Sequence, residues 1–99
     1  MNTVRTEVEL DPLIHEGNRL KIMSVLVECE VADFGFVANA TALTRGNLSS
    51  HMAKLVQAGY IEEKKDFVER KPRTEYRLTS KGRDTYAQYR KQWHRITGG

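Results

Sequence analysis

The clearest alternation of apolar and polar positions lies in Leu43–Gly59. Leu48, Met52 and Leu55 recur at i, i+4 and i+7 and share one face of a helix. Thr44 supplies an N-cap hydroxyl, and Gly59 stands where a left-handed C′ residue ends a helix. Upstream, Leu20, Ile22, Met23, Val25, Leu26 and Val27 give Arg19–Glu28 a broad apolar face, the pattern of a core helix. Asp11-Pro12 opens a short helical turn that carries Leu13 and Ile14. Gly17-Asn18 interrupts it, with Asn18 placed to cap the next helix. Glu30–Asp33 reads as a loop with room for one short strand. Phe34–Ala40 is a short second helix, or one strand residue followed by a helix, with Phe34, Val37 and Ala38 facing inward. Residues 1–10 have no clear period and read as a frayed or extended arm.

Beyond Gly59 the period changes. Tyr60–Lys64 alternates loosely, and Thr74, Tyr76 and Leu78 share one face at a spacing of two, the period of a strand. Arg70-Lys71-Pro72-Arg73 falls between these runs as a hairpin tip, where Pro72 argues against strand. Thr79 caps a last helix from Ser80 to about Ile96. Tyr86, Tyr89, Trp93 and Ile96 form an aromatic and aliphatic stripe along it. A short helix, a tight turn and a longer helix with one apolar seam make a helix-turn-helix. The hairpin after it is a wing. The expected fold is mainly α with a small β-hairpin wing (α+β), a winged helix-turn-helix. It forms one domain over residues 1–99, with an arm at 1–10 and a C-terminal helix at 79–97.

Charge sharpens this picture. Residues 1–63 hold 5 Lys/Arg against 9 Asp/Glu, and residues 64–99 hold 11 against 4, so the wing and last helix carry the basic excess. That excess suits a polyanion. No apolar run approaches a membrane span and no apolar segment follows the N-terminus, so no membrane or secretory role is expected. Cys29 is the only cysteine, which fits a reducing cytoplasm. His15, His51, His94 and Cys29 lack the spacing of a zinc site, and no phosphate loop, dinucleotide fingerprint or nucleophile elbow is present. The expectation is no enzyme, no cofactor and no metal.

The polar face of the Leu43–Gly59 helix is small, nearly uncharged and rich in hydrogen-bonding groups, which suits close approach to base edges in a major groove. Its candidates are Thr44, Arg45, Asn47, Ser49, Ser50, His51, Lys54 and Gln57. Asn47 and Gln57 can bind adenine in bidentate fashion, Ser50 several bases, and Lys54 guanine or a phosphate. Arg45 and Ser49 suit phosphates near the helix N-terminus. Asn47 also suits a helix cap. His51 flanks the apolar seam and suits backbone or phosphate rather than a base. In the wing, Arg70, Lys71 and Arg73 suit a minor groove or its phosphates, with Lys64 and Lys65 on the backbone at the base. Tyr86 is expected inside the domain. Tyr89, Trp93 and Ile96, joined by Leu10, Leu13 and Ile14, are expected across a two-fold interface.

Several stretches together resemble the winged helix-turn-helix transcription regulators of the broad MarR and ArsR grouping, most of all a compact single-domain subgroup. They are Asp11–Glu16 (DPLIHE), Leu43–Met52 (LTRGNLSSHM), Lys54–Ile61 (KLVQAGYI) and Phe67–Thr79 (FVERKPRTEYRLT), followed by Lys81-Gly82. The resemblance spans residues 10 to about 90. Gly17 departs from a usual Pro, Met52 from a common Leu, and Lys71 adds charge to the wing tip. The resemblance implies a homodimer that binds double-stranded DNA and controls transcription. It names no operator and no effector. The competing reading is a winged helix that docks on protein within a larger assembly through its wing and aromatic helix.

Overall fold

The computed structural model describes residues 9–98. The elements run α1 (Gly17–Val27), β1 (Ala32–Asp33), α2 (Phe34–Thr41), α3 (Arg45–Gln57), β2 (Ile61–Val68), β3 (Lys71–Leu78) and α4 (Ser80–Thr97). The strands form one antiparallel sheet in the order β1-β3-β2. This is the expected α+β winged architecture. The arm expected at residues 1–10 lies outside the described residues except for Glu9 and Leu10.

Local chemistry sets most boundaries. Thr44 Oγ1 accepts from Asn47 N at 3.1 Å and starts α3. At its other end Gly59 adopts φ +83°, Gly59 N donates to Val56 O, and Tyr60 N donates to Leu55 O, both at 3.0 Å. That pair of bonds is a Schellman cap. The start of α1 differs from expectation. Glu16, not Asn18, is its N-cap, accepting from Arg19 N at 2.8 Å, so the helix begins at Gly17. A glutamate does this because the Asp11 turn has already folded the chain back. Asp11 Oδ1 accepts from Leu13 N at 2.8 Å and from Ile14 N at 3.3 Å, which makes 11–14 a capped turn and not a helix. The Arg19 N–H is the main cause that holds the Glu16 carboxyl below its usual range.

The hairpin tip also differs. The two-residue turn is Glu69-Arg70, with φ of 52° and 68°, and β3 runs through Pro72. Positive φ at both positions is the type I′ geometry that matches strand twist. Val68 opposite Lys71 closes the ladder as a hydrogen-bonded pair, so Phe67 opposite Pro72 is a non-bonded pair. The missing N–H of proline therefore faces away from β2 and costs nothing. Phe67 N also points outward, and Asp66 Oδ1 accepts from it at 2.7 Å.

The core gathers Ile22, Met23 and Leu26 of α1, Val37 of α2, and Leu48, Met52 and Leu55 of α3. Ile61, Tyr76 and Leu78 close it from the sheet, and Tyr86 and Tyr89 from α4. The first turn of α4 clamps two helix ends. Lys81 Nζ donates to Ala58 O at 3.0 Å just past α3, and Arg83 donates to Val27 O, in the last residue of α1, and to Cys29 O, just past it, at 3.4 and 3.3 Å. Cations at helix C-termini complement the helix dipoles.

Two residues expected at a two-fold interface lie in the chain's own core. Ile14 has 0% exposure and Tyr89 3%. Ile14 is drawn in by the Asp11 turn. Tyr89 packs on Tyr86 and pairs its hydroxyl with His15 Nδ1 at 3.0 Å. Burial raises the Tyr89 phenol above its usual range.

Candidate nucleic-acid interface

The face of α3 away from the core carries Arg45, Asn47, Ser49, Ser50, Lys54 and Gln57, all exposed. Their exposure follows from the burial of Leu48, Met52 and Leu55 on the opposite side. Thr44 spends its hydroxyl on the helix cap. The Arg45 guanidinium lies 4.7 Å from the centroid of the Phe34 ring, a cation–π contact that aims it along the first turn of α3. The sequence pattern placed Phe34 in the core and missed this second use of its ring.

His51 turns away from that face. Its Nδ1 accepts from Arg19 Nη1 at 3.1 Å, and its Nε2 lies 3.4 Å from the Asn18 side-chain amide. Arg19 Nε also donates to Leu13 O at 2.6 Å. A neutral ring that accepts at Nδ1 carries its proton on Nε2. His51 thus joins α3 to α1 and the Asp11 turn, a different partner from the DNA backbone or phosphate expected for it. A position beside the apolar seam allows either direction, and only the neighbouring helix selects between them.

The wing cations divide by strand face. Side chains alternate along a strand, and Ile61, Tyr76 and Leu78 mark the inward face. Lys65 shares that face. Lys64, Lys71 and Arg73 take the other, and Arg70 sits in the turn. Arg73 is engaged: Nη2 lies 3.3 Å from Asp33 Oδ2 and Nε 3.4 Å from Glu75 Oε2. Asp33 is also the N-cap of α2, accepting from Phe36 N at 2.8 Å. Lys64, Lys65, Arg70 and Lys71 are exposed.

Between α3 and the wing lies a groove of about 560 Å³, walled by Arg45 and Ser49 on one side and by Lys65, Pro72 and Thr74 on the other. Tyr76 and Glu63 floor it. Burial, then the Glu63 carboxylate beside it, pushes the Tyr76 phenol up to about 12. A second groove, about 310 Å³, runs between Leu20 and Ser24 of α1 and Tyr86, Arg90 and Trp93 of α4. Trp93 is 44% exposed at its edge. Among the described residues, no group of His, Cys, Asp or Glu is placed to hold a metal ion, and no helix is long and apolar enough to cross a membrane.

A family model for a winged helix DNA-binding domain matches residues 18–97. The chain belongs to this family. An uncharacterised protein of Methanocaldococcus jannaschii is 34% identical over 71 residues, covering 72% of this chain and 77% of that one. The structure of a transcriptional regulator homologue from Pyrococcus horikoshii OT3 superposes with a TM-score of 0.85 at 26% identity, over 95% of this winged-helix chain and 93% of the other. A protein of Enterococcus faecalis V583 assigned to the MarR family of transcriptional regulators shares the fold. Its TM-score is 0.74 at 23% identity, over 87% and 77% of the two chains. The fold that carries the polar face of α3 and the basic hairpin is therefore a winged-helix DNA-binding domain of the transcription-regulator type.

Proposed function

We propose that the chain is a sequence-specific regulator that binds double-stranded DNA as a homodimer. Residues 44–58 enter the major groove, and the wing, residues 64–74, lies on the adjacent minor groove and backbone. One observation carries this: a hydrogen-bonding helix face with no carboxylate among Arg45, Asn47, Ser49, Ser50, Lys54 and Gln57 shares a groove with a cationic hairpin. Asn47, Ser50, Lys54 and Gln57 face the bases, and Arg45 and Ser49 sit by phosphates at the helix N-terminus. Lys64, Lys65, Arg70, Lys71 and Arg73 supply the phosphate and minor-groove contacts. Such a protein acts in the cytoplasm, where duplex DNA is accessible. No catalytic step enters this reading.

The homodimer reading rests on the far end of α4. With Ile14 and Tyr89 buried, the expected interface residues that keep exposed surface are Leu10, Leu13, Trp93 and Ile96, of which Trp93 lines the α1–α4 groove. A two-fold pair there sets two α3 helices against half-sites about one helical turn apart.

The test is an electrophoretic shift with random-sequence duplex over a salt series. Binding at low ionic strength that weakens linearly in log salt supports the reading, because phosphate contacts release counterions. Absence of binding at low salt rejects it. Selection from a random duplex pool then yields the operator.

A further inference from the structure

The wing tip carries an apolar pair that the cationic reading leaves without a role. Phe67 is 70% exposed and Val68 46%, the former the most exposed large hydrophobic side chain among the described residues. Phe67 stands opposite Pro72 on the inward strand face, in line with Lys65 and Thr74, so it extends the wall of the groove shared with α3. Arg70 and Lys71 lie immediately beyond it. From Ile61, the last buried residue of β2, to Phe67 is six residues, a reach of about 20 Å in strand geometry. Half a turn of duplex, the offset between a major groove and the next minor groove, is about 17 Å.

We propose that Phe67, backed by Pro72, is an apolar wedge that enters the minor groove beneath the wing and partly unstacks one base step. The occupant is argued from charge. Around the exposed phenylalanine stand Lys64, Lys65, Arg70 and Lys71 against the carboxylates Asp66 and Glu69, a net positive surround that steers it to a polyanion, and the minor groove offers phosphates to cations at its rim with apolar sugar and base surfaces within. Apolar wedges between base steps kink the duplex toward the major groove, which brings more backbone onto the basic hairpin. The Phe67–Pro72 pair is suited to insertion, since neither side chain carries a polar group that insertion would strip of water. This inference rests on the DNA reading and adds a non-ionic, shape-dependent contact to it. Flexible pyrimidine–purine steps at the flanks of the site follow as its preference.

The experiment compares the wild-type chain, Phe67→Ala and Lys71→Ala on random-sequence duplex of about three helical turns, labelled at both ends for energy transfer. Phe67→Ala weakens binding about tenfold with an unchanged salt slope, since a lost aromatic–base contact releases no counterion. Lys71→Ala reduces the slope by about 1. The wild type shortens the end-to-end distance on binding, and Phe67→Ala does not. Phe67→Trp restores the shortening, and the added indole is quenched on the duplex. If the wild type binds while Phe67→Ala binds and bends DNA equally well, the wedge is overturned and the DNA reading stands. If the wild type shows no salt-sensitive binding, the DNA reading itself fails. A change of oligomeric state in Phe67→Ala with unaltered DNA affinity makes the tip a protein contact and also overturns the wedge.

Discussion

At the residue scale, several side chains do two jobs at once. Asp33 caps α2 with one carboxylate oxygen and holds Arg73 with the other. A carboxylate beside the proposed interface would oppose phosphate, and it competes for the Arg73 guanidinium proposed to meet it. Asp33→Asn keeps a cap acceptor and removes the charge. Its expected effect is a several-fold gain in affinity at low salt and a salt slope steeper by about 1, read by fluorescence anisotropy across a salt series. Little stability is at stake, because an exposed ion pair contributes about 1 kcal/mol or less. Gly82 is a residue of the opposite kind, needed for its lack of a side chain. A Cβ there would stand 2.1 Å from Tyr60 O, at the point where the first turn of α4 meets the end of α3. Gly82→Ala therefore destabilises by about 1–3 kcal/mol through overpacking, although alanine is the better helix former by about 1 kcal/mol. A fall in the denaturant midpoint confirms the clash, and a rise refutes it.

At the element scale, α3 is held at three places by other parts of the chain. Thr44 caps its start, the His51–Arg19 bond fixes its middle to α1, and Lys81 binds a carbonyl at its end. Only its polar face is left free. The wing has no such support beyond its base. Along β2 only Ile61 is buried, and β1 reaches only Glu75 and Tyr76, so the distal hairpin is a two-stranded ribbon in solvent. Glu69 and Arg70 hold positive φ without glycine, which strains the turn. The elements meet at tyrosines whose protonation is tied to folding. Burial, then the Asp11 carboxylate that accepts from the hydroxyl at 2.5 Å, raises Tyr60 to about 12, and Tyr76 is raised to about 12 as well. The unfolded chain releases these protons near 10.0. Their contribution to stability is therefore complete below that pH and is lost as pH rises toward about 12. Thermal unfolding followed over this range should show the midpoint falling, less steeply for Tyr60→Phe than for the wild type.

At the scale of the whole molecule, α4 joins the helix proposed to face DNA to the face proposed for a second copy. Its first turn is bonded to the end of α3, and its last turns carry Trp93 and Ile96. If two copies pair there, a change in their angle moves both α3 helices as rigid bodies. Trp93→Glu places a charge on that face and is expected to give a monomer by sedimentation, with an intact helical spectrum. Its affinity for duplex should fall at least tenfold, since two linked contacts become one. A Trp93→Glu chain that remains dimeric would move the interface elsewhere.

The sequence by itself determined the parts governed by neighbours a few residues apart. These are the caps at Thr44, Gly59 and Thr79, the buried seam of Leu48, Met52 and Leu55, and the presence of a basic hairpin after a helix-turn-helix. Each depends on a local period or on one side chain bonding to backbone within its own turn. Only the tertiary structure decided what depends on residues far apart in the chain. His51 faces Arg19, Arg73 is held by Asp33, Tyr89 is covered from the Asp11 turn, and Gly82 sits under Tyr60. A helical or strand period reports which face a residue occupies and says nothing of what the opposing element presents there. The same limit applies to Phe67. The sequence places it in the wing stretch without assigning it to a strand, and only the fold puts it at the end of β2, 70% exposed among the described residues.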